Sequence, residues 1–137
     1  MNELAITILK EKKLKITQNR LDVLSVFLKE QKAFSLLDLE LIYGKKHDRS
    51  SIFRFLQICS EHKILEKFVD KSGVAVYVIN HNEDQKNHSH YKCSDCQTVV
   101  NLPKLPDEYL ALLGKNKVET TNLFLEGTCE QCQNDNK

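Results

Sequence analysis

Four of the five cysteines fall into two identical spacings, Cys93-Ser94-Asp95-Cys96 and Cys129-Glu130-Gln131-Cys132. A C-x-x-C on a tight turn can aim both sulfurs at one point, and two such turns complete a tetrahedron of thiolates. Zinc favours that donor set, and a site closed by four protein ligands has no position for a substrate, so the reading is a structural Zn2+ site. The competing chemistry, thiol exchange, calls for one reactive pair at a helix start, which two symmetric pairs fit poorly. The 32 residues between the pairs exceed what a local zinc ribbon spans, so a β-rich subdomain is expected between them. Just upstream stand His81, Glu83, Asp84, His88 and His90. In an extended segment His88 and His90 point to one side and can chelate a second ion, with His81 and Glu83 or Asp84 as further donors. A surface histidine is more often without any such role; closeness to the cysteines and to a polar hinge tips the balance towards a ligand site. Cys59 stands alone on an apolar stripe and reads as a small core residue.

The elements that must position these groups follow from periodicity. Leu4, Ile6, Ile8 and Leu9 start a first helix that runs into the basic stretch Lys10 to Lys15. Thr17 is placed to cap a second, with Leu21, Leu24, Phe27 and Leu28 on one face, and Ser35 to cap a third through Leu36, Leu37, Leu39 and Leu41, ended near Gly44. A fourth helix, from about Ser50 to His62, has two readable faces. Ile52, Phe55, Leu56 and Cys59 recur at i, i+3, i+4 and i+7 as a core stripe, while Ser50, Phe53, Arg54 and Gln57 repeat the spacing on the other side with groups that can hydrogen-bond or stack on base edges. An ordinary solvated face is the plainer alternative for that second set. Two β-rich runs, 64–69 and 74–79, flank the turn Asp70-Lys71-Ser72-Gly73. Helices followed by such a hairpin read as a winged helix over residues 1–80. A polar stretch around 81–87 is the hinge, and residues 88–137 carry short strands near Tyr91, 98–102 and 122–126 with a small helix near 107–113.

Composition agrees with a folded protein: 41% hydrophobic and 28% charged residues exclude wholesale disorder. The net charge of +1 conceals an asymmetry, since residues 1–72 carry 14 Lys/Arg against 10 Asp/Glu and residues 73–137 carry 6 against 9. The basic half is therefore the candidate for facing a polyanion. Lys10, Lys12, Lys13 and Lys15 are candidates for phosphate contact, although a solvated charge run is the commoner fate of such clusters. No apolar run is long enough to span a bilayer, and the opening Met1-Asn2-Glu3-Leu4 lacks the pattern of a signal, so a cytoplasmic protein without membrane contact is expected.

Four segments together resemble the ferric uptake regulator family of metal-sensing transcription regulators: Lys15-Ile16-Thr17-Gln18-Asn19-Arg20, Ser50-Ser51-Ile52-Phe53-Arg54-Phe55-Leu56, His88-Ser89-His90-Tyr91-Lys92-Cys93-Ser94-Asp95-Cys96, and Gly127-Thr128-Cys129-Glu130-Gln131-Cys132. The resemblance implies an α+β chain: an N-terminal winged helix on a double-stranded DNA operator, and a small C-terminal α/β dimerisation domain with a structural zinc site, assembled as a homodimer. It also implies DNA contacts from Lys15, Arg20, Ser50, Ser51, Phe53, Arg54 and Gln57, and a second, regulatory divalent ion, Zn2+ or Fe2+, for which His88 and His90 match the family's ligands; His81 falls where many members have a carboxylate, and Glu83 or Asp84 is available as a fourth donor. Departures from the family pattern fall at that second site. Ala33 stands where a histidine often reaches in, and Asn101 where a carboxylate is usual; Asn87, Ser89 and Thr121 replace ligands of a further site, which is expected to be absent. Three imidazoles favour zinc slightly over iron. Phe53, where the family usually has tyrosine, keeps stacking and methyl contact and loses one hydroxyl.

The leading expectation is a metal-responsive regulator, by family habit a repressor of metal-homeostasis genes. The alternative is a zinc-stapled DNA-binding or dimerisation module that has lost sensing. An enzyme with a small-molecule substrate ranks last, because a hydrolytic metal site needs an open position beside a general base, and only Glu83 or Asp84 is available for that role.

Overall fold

The structure, a computed structural model, describes residues 2–80, 87–119 and 121–135, with the side chains of Asn2, Asn87 and His88 outside the described set. The chain divides into two compact units, residues 1–83 and 84–137.

In the first unit the order is α1 (Asn2–Glu11), α2 (Gln18–Lys29), β1 (Phe34–Ser35), α3 (Leu36–Tyr43), α4 (Arg49–Glu61), β2 (Leu65–Val69) and β3 (Ala75–Ile79). Helix α1 runs into the basic stretch, as its apolar pattern implies, and ends at Glu11. Lys13 takes a positive φ of 58°, and the Leu14 and Lys13 amides donate to the Leu9 and Lys10 carbonyls at 2.8 and 3.0 Å. This αL cap leaves Lys12 to Lys15 in the connector rather than in the helix. Thr17 caps α2 by accepting from the Arg20 amide at 3.3 Å. Ser35 closes a reciprocal capping box with Asp38 at the start of α3, at 3.1 and 2.9 Å. Both capping residues read from the sequence therefore do that work.

Helix α4 buries Ile52, Phe55, Leu56 and Cys59, the whole anticipated stripe. It packs them with Leu9, Val23, Leu24, Phe27, Leu39, Ile64 and Leu65 into one core. Burying each large apolar side chain is worth about 1.5–3 kcal/mol, so the orientation of α4 is fixed by its inner face. Its end repeats the device of α1: Lys63 has φ +59°, and the Ile64 amide reaches back to the Cys59 carbonyl at 2.8 Å. The three strands form a sheet in the order β1-β3-β2, all antiparallel. Strand β1 was not anticipated, because two residues carry no readable alternation. In the β2–β3 turn the Asp70 carboxylate accepts from the Ser72 and Val74 amides at 2.8 and 3.0 Å, and Gly73 supplies φ +84°. Helices followed by this hairpin make a winged helix.

The second unit holds β4 (Asn87–Cys93), β5 (Val99–Asn101), α5 (Asp107–Ala111), β6 (Thr121–Gly127) and α6 (Glu130–Asp135). Its sheet runs β5-β4-β6, with β4 antiparallel to β5 and parallel to β6. Helix α6 is an addition to the sequence reading, which placed Cys129–Cys132 on a plain turn; the second cysteine pair instead straddles the start of a helix.

An αL position occupied by lysine carries a steric cost of about 1–2 kcal/mol that glycine does not bear. Lys63→Gly is accordingly expected to raise the stability of the first unit by about 1 kcal/mol after the extra chain entropy of glycine is counted. Chemical denaturation of the two proteins checks this, and a lower midpoint for the variant would show that the Lys63 side chain contributes more than its backbone strain costs.

Candidate metal centre and nucleic-acid-binding helix

Parallel pairing brings the two cysteine pairs together. Strands β4 and β6 run side by side from Asn87↔Thr121 to Cys93↔Gly127, so both lead to the same end of the sheet. There the Ser94 amide donates to the Gly127 carbonyl at 2.8 Å and the Gln97 amide to the Cys93 carbonyl at 2.9 Å. Gln97 adopts φ +66°, and its side-chain amide donates to the Ser94 carbonyl at 2.7 Å. The four sulfurs lie within 4.8 Å of one another, with Cys96 and Cys129 3.9 Å apart. A zinc ion with Zn–S bonds of about 2.3 Å requires tetrahedral edges of about 3.8 Å, so the donor set fits such an ion as it stands.

The backbone is arranged for thiolates. Burial pushes the Cys93 thiol up, but amide donors from Cys129, Cys96 and Asp95 outweigh it and bring the pKa down to about 6. The Cys129 and Cys96 amides sit 3.4 and 3.5 Å from the Cys93 sulfur. The Thr98 hydroxyl, 3.1 Å from the Cys96 sulfur, lowers that thiol as well. Cys132 moves the other way, raised chiefly by its hydrogen bond with the Cys129 side chain and then by burial. Several negative sulfurs this close cannot coexist without a cation, which is why a divalent ion would displace the remaining protons. Among the described residues this is the one group of three or more metal-binding side chains brought together.

The histidine cluster is placed only in part. His90 is buried on β4, and its Nδ1 lies 2.9 Å from the Asn101 Oδ1 on the neighbouring strand. His88 lies on the same strand with its side chain outside the described set, and His81, Glu83 and Asp84 are outside the described residues. Sequence reading overlooked Lys92. It is a buried cation paired across the parallel strands with Glu126, Nζ to Oε2 3.6 Å, and only the register of β4 against β6 could have revealed the partner.

On α4 the residues Ser50, Phe53, Arg54 and Gln57 are all exposed, Phe53 by 41%, and Ser51 is half-buried. Arg54 makes one long contact, Nε to the Ser50 carbonyl at 3.4 Å, so its guanidinium remains on the surface. Lys15 is exposed. Arg20 is half-buried with intramolecular partners: it donates to the Lys15 carbonyl at 3.0 Å and sits 5.4 Å over the Phe55 ring. The segment leading into α4 is tied to α2 by Asp22, which meets His47 at 2.7 Å and Lys46 at 3.1 Å and accepts from Gln18 at 2.8 Å. Burial raises the Asp22 carboxyl, but these donors outweigh it and leave its pKa below the usual value. Among the described residues no helix is long and apolar enough to cross a membrane.

The two units thus combine a winged helix, with a polar outer face on its fourth helix, and a small sheet ending in four clustered thiols that fit a metal ion. The ferric uptake regulator family matches residues 11–127, and the chain belongs to it. It is thus a transcription regulator and not an enzyme. The fold is shared with the Vibrio cholerae ferric uptake regulator, at 21% identity and TM-score 0.64 over 90% of this chain and 98% of that one. It is shared also with a zinc uptake regulator in complex with zinc and DNA, at 21% and 0.68 over 98% and 94%. The Helicobacter pylori regulator, described as having three functional metal-binding sites, matches at 19% and 0.66 over 97% and 94%. No curated protein sequence matches the chain.

Cys59 stands apart from the clustered thiols in the core of the first unit, where burial pushes its pKa up to about 12. After strong chelation, alkylation without denaturant should label Cys93, Cys96, Cys129 and Cys132, whereas Cys59, in the core of the first unit, should react only in denaturant. Cys93→Ser or Cys129→Ser should release the ion and unfold the second unit, read by metal content and circular dichroism; a folded, metal-free variant would remove the structural role.

Proposed function

We propose that this chain is a metal-responsive, DNA-binding transcription repressor of metal-homeostasis genes, with a structural Zn2+ on Cys93, Cys96, Cys129 and Cys132 and a second, sensed ion, Zn2+ or Fe2+. The observation that carries the reading is strand β4. Its seven residues place His88 and His90 a few residues from Cys93, immediately after the segment that joins the two units. In this reading His81, Glu83, His88 and His90 hold the sensed ion, residues 81–87 act as the hinge between a winged-helix domain (1–80) and a dimerisation domain (88–137), and ion binding selects the arrangement of the winged helices that fits DNA. Three imidazole donors favour zinc over iron.

Operator recognition is assigned to the outer face of α4. Ser50, Ser51, Phe53, Arg54 and Gln57 face the bases, with Phe53 suited to thymine methyl groups and Arg54 to guanine, while Lys15 contacts phosphate and Arg20 positions the Lys15 segment. Homodimerisation is supported by the exposed apolar side chains of the second unit, Val100, Tyr109, Leu112, Leu113, Val118 and Leu125. A cytoplasmic location follows from this function. One observation favours the alternative, a zinc-stapled DNA-binding module without sensing: Asn101 engages His90 where the family usually supplies a carboxylate ligand.

Two measurements decide between these. Operator affinity should rise about 5–150-fold when the second ion binds, the usual size of such coupling, and His88→Ala/His90→Ala should abolish the rise while keeping one zinc per chain. Equal affinity with and without added metal would leave the module reading. Arg54→Ala should weaken operator binding by about 1–3 kcal/mol without loss of zinc or dimer; unaltered binding in a gel-shift titration would remove Arg54 from the interface.

A further inference from the structure

We propose that Asn101 is the positioning residue of the sensing site: its side-chain oxygen fixes the tautomer of His90 so that Nε2 becomes the coordinating nitrogen. The inference rests on the sensing role given to His90 above and specifies how that residue is prepared.

The geometry is set by the sheet. His90 on β4 and Asn101 on β5 are direct partners in the antiparallel register, the spacing at which opposite side chains meet. The His90 Nδ1 and the Asn101 Oδ1 are 2.9 Å apart. A neutral imidazole carries one proton, and a carboxamide oxygen can only accept. With Asn101 oriented this way the proton sits on Nδ1, and the lone pair needed for coordination falls on Nε2. Histidine ligands commonly donate their other ring N–H to a carboxylate or carbonyl oxygen, which fixes ring orientation and raises donor strength. Asn101 supplies that acceptor without adding a charge. Its oxygen is occupied by the imidazole, so the departure from a carboxylate at this position reads as a change of role from ligand to orienting acceptor. The ring itself is buried, and turning it over would put the Cδ2 carbon where Nδ1 stands and forfeit the hydrogen bond to the amide oxygen.

The test uses the full-length, zinc-loaded chain with 15N-labelled histidine, His90 being identified by its loss in His90→Gln. In the chain without the second ion, long-range 1H–15N correlation should report His90 as the Nδ1–H tautomer. Asn101→Leu should shift it towards Nε2–H and weaken Zn2+ binding at the second site about tenfold, while the four-thiolate ion and the melting temperature stay in place. Asn101→Asp, which restores the acceptor, should keep the Nδ1–H tautomer and bind the second ion at least as well as the wild type. An Nε2–H tautomer in the wild type, or an Asn101→Leu protein with unchanged tautomer and unchanged affinity for the second ion, overturns the role of Asn101. A wild-type chain that binds only the four-thiolate ion overturns the sensing reading, whatever its tautomer.

Discussion

Parallel pairing of β4 with β6 is the constraint on which the second unit depends. Two cysteine pairs separated by 32 residues can share one ion only if both reach the same place. Two adjacent strands that run in the same direction deliver their C-terminal ends together, whereas an antiparallel pair would send them apart. Parallel strands require a crossover of a dozen or more residues, and the chain through β5 and α5 provides it. The register matters as much as the direction, because a slip of one residue would turn every side chain of β4 to the opposite face. It would separate Lys92 from Glu126, leaving a cation buried without its counter-charge, and carry Cys93 away from the other three sulfurs. Metal binding and strand register therefore stabilise each other, which is the sense in which such an ion contributes to folding.

In the first unit the corresponding economy is the division of α4 into two faces. The inner face is apolar and fully buried, so it needs nothing from the outer one. The outer residues are released from packing duties and can carry groups for recognition. What the helix requires is a fixed starting point, and its capping residue does not provide one: Asp48 makes no side-chain cap bond. The anchor comes one residue earlier, where His47 and Lys46 converge on Asp22 of α2. The depressed Asp22 pKa gives this anchor a pH dependence. Its contribution is fully present above the unfolded carboxyl value of 3.8 and fades as the pH falls through the lower folded value.

Much of this was legible from residue types and spacing. The α4 stripe, the Thr17 and Ser35 caps, the β2–β3 turn and the cysteine quartet each rest on short-range chemistry that leaves a local pattern. What escaped depends on partners distant in sequence. Strand β1 exists because β3 pairs with Phe34 and Ser35, not because two residues form a strand alone. Arg20, which the family resemblance assigns to DNA contact, is engaged within the unit by Phe55 and by the Lys15 carbonyl. The end of α1, which the sequence reading leaves open, is a backbone event at Lys13, and lysine in αL carries no compositional signal. The helical start of the second cysteine pair was hidden for a different reason: six residues are too few to show a period.

The two metal centres proposed for this chain differ in the way their tasks demand. Four thiolates, two from a turn and two from a helix start, would satisfy the coordination of zinc completely, and the amide donors around Cys93 and the Thr98 hydroxyl beside Cys96 favour the charged form before any ion arrives. Such a site has no reason to release its ion, and its job is to hold β4 and β6 in register. A sensor must be able to empty. In the proposed sensing site, imidazole donors on β4 would be joined by His81 and Glu83, far fewer fixed donors than the thiolate cluster has. Its affinity is then reduced by whatever that arrangement costs, and the same cost couples the ion to DNA. The neutral acceptor on Asn101 fits this division of labour. A carboxylate there would strengthen His90 as a donor and deepen the site, whereas an amide orients the ring without adding a charge.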